Sequence, residues 1–173
     1  QIRRMLSDPK AQALASNFAG QWLQLRDLDL VTPDPRRFPQ FDDKMRISMR
    51  KETETMFHHV LAENRSLLEF LTADYTFVDN NLARLYALPG KFSDEFIKVS
   101  LRGTDRGGLL THASILTVTS NPTRTSPVKR GKWVLDNFLG TPPKDPPDDV
   151  PELEEGTRSE KGLTLREQMQ QHS

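Results

Sequence analysis

The polar run Thr119-Ser120-Asn121-Pro122-Thr123-Arg124-Thr125-Ser126 is the densest group of side chains in this chain that could hold a ligand. It leads into a helix start carrying Lys129, Arg130 and Lys132. Free N–H groups and the positive end of a helix dipole favour an anion at such a place. Lysine and arginine in a first turn oppose that dipole, so something negative has to compensate them. Asn121, Thr123, Arg124, Ser126, Lys129 and Arg130 are therefore the candidate anion-binding residues, for a phosphate, a carboxylate or an acidic sugar. The plainer reading is that the hydroxyls close turns, as Ser, Thr and Asn commonly do, while the bases pair with acids elsewhere in the fold.

Other constellations carry less. His58 and His59 are adjacent, and neighbouring helical side chains point about 100° apart, so a regular helix cannot aim both at one metal. Glu54 with His58, or His59 with Glu63, has the four-residue spacing of a shared face. A metal would need further ligands, and no His-Glu-x-x-His or Glu-x-x-His pair occurs. His112 could serve as a base beside Ser114 or Ser120, but the G-x-S-x-G elbow of serine hydrolases is missing and no acid partner is fixed. The acid pairs Asp27/Asp29, Asp42/Asp43 and Asp148/Asp149 could be glycosidase carboxylates; Asp42 is better explained as a helix cap and the last pair as part of a solvated linker. Gly103, Gly107 and Gly108 do not match a phosphate-binding fingerprint. No residue is assigned a catalytic or metal-binding role.

Composition narrows the classes. The chain has 173 residues, 24 basic and 24 acidic, and a pI near 7.1, which argues against a nucleic-acid binder. With no cysteine there is no disulfide framework, no thiolate metal site and no cysteine nucleophile. No apolar run approaches the roughly 18 residues that span a bilayer. The opening residues, Gln1 to Leu6, read as the inside of a helix, so the chain reads as excised from something larger.

These side chains must be positioned by helices. Asp8 and Pro9 can start the first, with Ala11, Leu14, Ala15, Phe18, Trp22 and Leu25 as its apolar stripe. Pro33, Pro35 and Pro39 make the stretch 26–40 a connection. Asp42 caps a long helix striped by Met45, Met49, Met56, Phe57, Val60 and Leu61, with Arg50 and Glu54 paired on its wet side. Ser66 to Glu69 matches a capping box, and Asp79 or Asn80 starts a helix that ends at Pro89-Gly90. Tyr75–Val78 and Phe96–Leu101 read as partnered strands. Ser126 caps a late helix with Pro127 in its first position, Val128, Leu135, Phe138 and Leu139 on one face, and Gly140 as its stop. Trp22 and Trp133 read as core residues. Pro142, Pro143, Pro146, Pro147 and Pro151, followed by Glu152, Glu154 and Glu155, form an extended spacer. Thr164-Leu165-Arg166-Glu167 begins a last helix.

The segment from Arg106-Gly107-Gly108 through Thr123-Arg124-Thr125-Ser126-Pro127-Val128-Lys129-Arg130-Gly131-Lys132-Trp133-Val134-Leu135 resembles the signature of an uncharacterised module. That module occurs in large multidomain cytochrome-c-like proteins of planctomycetes and related bacteria. Leu139-Gly140-Thr141-Pro142-Pro143 is similar to its closing segment, Asp74-Tyr75-Thr76-Phe77-Val78-Asp79 to its middle, and Phe18-Ala19-Gly20-Gln21-Trp22-Leu23 to the tail of a second such module. The resemblance implies an exported protein of the periplasm or cell envelope, with a CxxCH c-type haem module following an end like Leu163 to Glu167. It assigns no haem ligand to this chain and carries no catalytic residue over.

The expected fold is mainly α, of roughly five to seven helices, with at most a small two-stranded β element and a Pro-rich C-terminal spacer. Residues 1–30 are expected to be the tail of an upstream helical module, 31–141 the core module, 142–162 a Pro/acidic linker, and 163–173 the start of a downstream helix. The expected function is that of a non-catalytic scaffold or binding module within an exported cytochrome-c-like protein. Its partners would be neighbouring domains of the same polypeptide and an anionic ligand or glycan at residues 119–132, with neither nucleic acid nor a membrane span. Haem would lie in a downstream module, with no cofactor in this chain. The competing class is an enzyme domain acting on an extracellular or envelope polysaccharide, which requires two carboxylates roughly 5–10 Å apart in one cleft.

Overall fold

A computed structural model describes residues 1–6 and 8–144. The chain divides into two units, Gln1–Pro143 and Lys144–Ser173. The Pro-rich spacer past Lys144, Asp148/Asp149 and the capping-box helix at Thr164 lie outside the described residues.

The architecture is mainly α with one small sheet. After α1 (Ile2–Leu6), Asp8 accepts a hydrogen bond from the Lys10 backbone N–H at 2.9 Å and starts α2, residues 9–22. The middle of α2, Ala15–Ala19, is a π turn. A π turn fits an extra residue into one winding and rotates everything beyond it. Of the expected stripe Ala15 and Leu25 are buried, joined by Ala19 and Leu23, whereas Leu14 and Phe18 are 46% and 52% exposed. A 3-10 turn, Leu25–Asp29, buries Leu28 as well. Arg46 donates to the carbonyls of Leu28 and Val31, tying this proline-rich connection to the next helix.

That helix, α3 (Asp43–Ala62), is the spine of the fold. Asp42 caps it by accepting the Met45 N–H at 2.8 Å. Met45, Met49, Met56, Phe57 and Val60 are buried as the spacing predicts, and Ser48, Glu52 and Thr53 are buried among them. Arg50 binds Asp29, 2.7 Å away on the preceding turn, in place of the expected Glu54 partner. Ser66 closes the turn into α4 (Glu69–Thr72), while Glu69 turns its carboxylate to Arg65 and Tyr75. Asp79 caps α5 (Asn80–Leu85) through the Leu82 N–H at 2.9 Å.

Strands β1 (Tyr75–Val78) and β2 (Ile97–Ser100) pair antiparallel, Tyr75 opposite Ser100 and Val78 opposite Ile97. Strand β1 is buried throughout and packs on α3, while β2 is largely open to solvent. Gly108 sits at φ +60° with its Cα against the Leu71 backbone; a Cβ there would lie 2.6 Å from the Leu71 carbonyl, so only glycine fits. A 3-10 turn (Leu109–Thr111) then leads into α6 (Ala113–Val118).

The last described helix, α7, covers residues 127–139. Ser126 caps it, Pro127 opens it, and Gly140 ends it at φ +59°. Its second half, Leu135–Leu139, is another π turn. Trp133 is buried as expected, whereas Val128, in the first turn, and Leu139, in the π turn, are about 60% exposed and leave the expected face. Two apolar clusters result. One gathers Ala15, Leu23, Met56, Phe57, Phe70 and Trp133, with the half-buried Trp22 against Phe57, Phe70 and Phe138. The other gathers Leu28, Met45, Met49, Leu82, Tyr86 and Ala113.

Candidate functional site

Along α3, between Met49 and Met56, runs a buried polar layer. Glu52 is 0% exposed. It accepts the Thr76 hydroxyl at 2.7 Å on one carboxylate oxygen and the Tyr86 hydroxyl at 2.7 Å on the other. The Tyr86 oxygen in turn accepts the Ala113 N–H at 2.8 Å. His112, 1% exposed, lies with Nε2 3.9 Å from Glu52 and Nδ1 3.0 Å from the Thr53 hydroxyl, which also meets Ser114 at 2.7 Å. Burial drives the His112 imidazole below its ordinary pKa, opposed by the Glu52 charge. Burial and the same carboxylate push the Tyr86 phenol well above its usual range. His112 and Ser114 therefore meet through Thr53 in the interior, both almost wholly buried. Ser48 extends the layer to Asp79 and Asn81.

Tyr86 and Ala113 also face outward, into a cavity of about 260 Å³. The cavity lies among the connection after α2, the first half of α3, the end of α5 and the loop after α6. Phe41, Met45, Met49, Leu85 and Leu116 supply apolar walls, and Arg106, Asn121 and Arg124 also line it. The Arg106 guanidinium stacks 3.8 Å over the Tyr86 ring and donates to the Thr111 carbonyl at 2.8 Å. Among the described residues neither Arg106 nor Arg124 forms an ion pair with an acid, and no Asp or Glu lines the cavity. Asn121 has its side-chain oxygen buried without a hydrogen-bond partner among those residues.

The predicted anion set is thus spread out. Asn121 and Arg124 face the cavity. The loop between them is pinned to the proline-rich connection: Asp34 donates its N–H to the Pro122 carbonyl, and Arg37 donates to that of Thr123, both at 2.9 Å. Thr123 is exposed. Ser126 is occupied as the cap of α7, accepting the Lys129 N–H at 3.3 Å. Lys129 points into solvent, and half-buried Arg130 donates to the Thr119 hydroxyl at 3.3 Å. Thr119 and Ser120 back-bond to the carbonyls of Ile115 and Leu116, both at 2.6 Å, so part of the hydroxyl run serves to end α6. Arg106, brought in from the glycine-rich link, escaped the sequence reading; its separation from Arg124 along the chain hid the pairing.

The remaining candidates go elsewhere. His59 stands edge-on to Tyr75 and Phe77, 3.1 Å from Glu63 and 2.9 Å from Lys98. Burial and Lys98 lower its pKa. Among the described residues no group of three potential metal ligands gathers, and no helix is long and apolar enough to cross a membrane.

Residues 1–88 match the family model PSD4, a protein of unknown function (DUF1592). Residues 106–173 match PSCyt3, a protein of unknown function (DUF1588). No curated protein and no solved structure matches the chain. Both matched segments build the same cavity and the same polar layer, Glu52 and Tyr86 from the first, His112 and Arg124 from the second. The chain belongs to the PSD4 family, continued by a PSCyt3 segment, and is an uncharacterised module of planctomycete-type cytochrome-c-like proteins.

Proposed function

We propose that this is a non-catalytic binding module of an exported cytochrome-c-like protein of the periplasm or envelope, and that an anion docks in the cavity beside Asn121 and Arg124. One observation carries the reading: two guanidinium groups, Arg106 and Arg124, line a cavity that contains no carboxylate. A cation facing a low-dielectric cavity without a counter-charge favours an anionic guest. Covalently attached c-type haem belongs to other modules, since this chain has no cysteine to carry it. A polysaccharide-cleaving role gains nothing here, because its two carboxylates would have to face the same cleft.

The test is titration of the whole chain with phosphate and acetate, followed by amide chemical shifts. Shifts should cluster at Arg106 and at residues 120–125, and Arg124→Ala should abolish them while leaving the melting temperature in place. An equal loss of binding and of stability, or no shifts at all, would return the loop to a purely architectural role.

A further inference from the structure

Resting on the anion reading, we infer that the guest is a monocarboxylate with a short hydrocarbon body, in preference to a sugar acid or a bare inorganic anion. Size is the first reason. At about 260 Å³ the cavity falls just below the range of roughly 300–1,000 Å³ that holds drug-sized ligands, so its guest is small.

Lining is the second reason. Phe41, Leu85 and Leu116 offer no polar atom to a guest, and Met45 and Met49 are polarisable side chains that adapt to an apolar shape. A sugar acid brings several hydroxyls, each of which loses water on entry and needs a partner. The hydroxyls at this cavity are largely taken. Tyr86 donates to Glu52, Ser120 to the Leu116 carbonyl, and Thr117 lies 3.7 Å from the Met49 sulfur. The open charged donors are on the guanidinium groups, with Gln40, Asn121 and Thr125 the neutral polar side chains that line the cavity beside them. Arg106 spends one of its five N–H bonds on Thr111, and Arg124 donates none within the described residues. A planar carboxylate suits such a fork, and its hydrocarbon body suits the thioether and aliphatic walls.

The test compares hexanoate, acetate, phosphate, glucuronate and 1-hexanol as probes of the full chain, by chemical-shift titration. Hexanoate should bind at least about tenfold more tightly than acetate, because the added methylenes leave water. It should also exceed 1-hexanol, an advantage that Arg124→Gln removes without changing 1-hexanol binding. Acetate or phosphate binding as well as hexanoate would overturn the hydrocarbon body and leave the anion reading standing. Glucuronate binding more tightly than hexanoate would overturn it in favour of a sugar acid. Silence from every anion, with 1-hexanol either bound or not, would remove both readings.

Discussion

The polar layer on α3 and the cavity share a wall at Tyr86 and Ala113 but follow opposite rules. In the layer, Glu52, Thr53, Thr76, Tyr86, His112 and Ser114 satisfy one another within 3.9 Å, and Glu52 and His112 are almost wholly sealed from water. At the cavity, Arg106 and Arg124 face apolar walls with no acid beside them. Closed polar networks inside a protein specify packing, since a half-satisfied one costs more than an apolar core. At the cavity the charge has no counter-ion among the lining residues. Chemistry-bearing residue types therefore divide by context: His112 and Ser114 are tied into a closed interior network, while Arg106 and Arg124, from separate segments, line a cavity with no acid.

The comparison predicts a graded series of effects. The largest comes from dividing the chain. Residues 1–88 expressed alone lose His112 from the layer and Leu109, Ile115 and Trp133 from the core, so they should show no cooperative thermal transition by circular dichroism. A sharp transition in that fragment would mean the layer is dispensable. Next is Glu52→Ala, which leaves the Thr76 and Tyr86 hydroxyls buried without their acceptor. Breaking such a buried charged network costs on the order of 3–5 kcal/mol, to be read from urea unfolding of the whole chain. A loss below about 1 kcal/mol would show the layer to be wet or loosely packed.

Acid provides a smaller test. The His112 pKa is depressed in the fold below its ordinary 6.5, so the unfolded chain takes up a proton that the folded one resists. Stability present above pH 6.5 should therefore fall as the pH drops toward 5.5, a window above the ordinary carboxylate range. His59 is depressed as well and contributes with the same sign. His112→Gln should flatten part of the slope of unfolding free energy against pH, and His59→Gln the remainder; an unchanged slope in both would place the proton uptake elsewhere. The smallest effect belongs to the cavity: Arg124→Ala should move stability by less than about 0.5 kcal/mol in the same urea assay, as substitutions without a partner do. A larger loss would make Arg124 part of the architecture after all.

The local punctuation of this fold is legible in one dimension. The caps at Asp42, Asp79 and Ser126, the Gly140 stop and the pairing of Tyr75–Val78 with Ile97–Ser100 are all as the residue types predict. Each depends on groups a few positions apart or on a simple alternation. The Glu52 layer carried a readable hint, since Glu52 follows Met49 by three and precedes Met56 by four, which places it on the apolar face. What the pattern lacked was its partners, scattered over Thr76, Tyr86 and His112. The π turns at Ala15–Ala19 and Leu135–Leu139 were invisible to a regular 3.6-residue period, and Phe18 and Leu139, within them, lie on the outside.

Sequence alone thus determined where the capped helices begin and that Gly140 stops the last one, although α5 ends at Leu85, ahead of the expected Pro89-Gly90 stop; it also determined which strands pair, that cysteine chemistry is excluded, and which family the chain resembles. Only the tertiary structure decided which polar groups are sealed inward and which cations stand open. The reason is physical: a cap is made by neighbours along the chain, whereas the worth of a charge depends on the water and counter-charges that distant segments bring or take away.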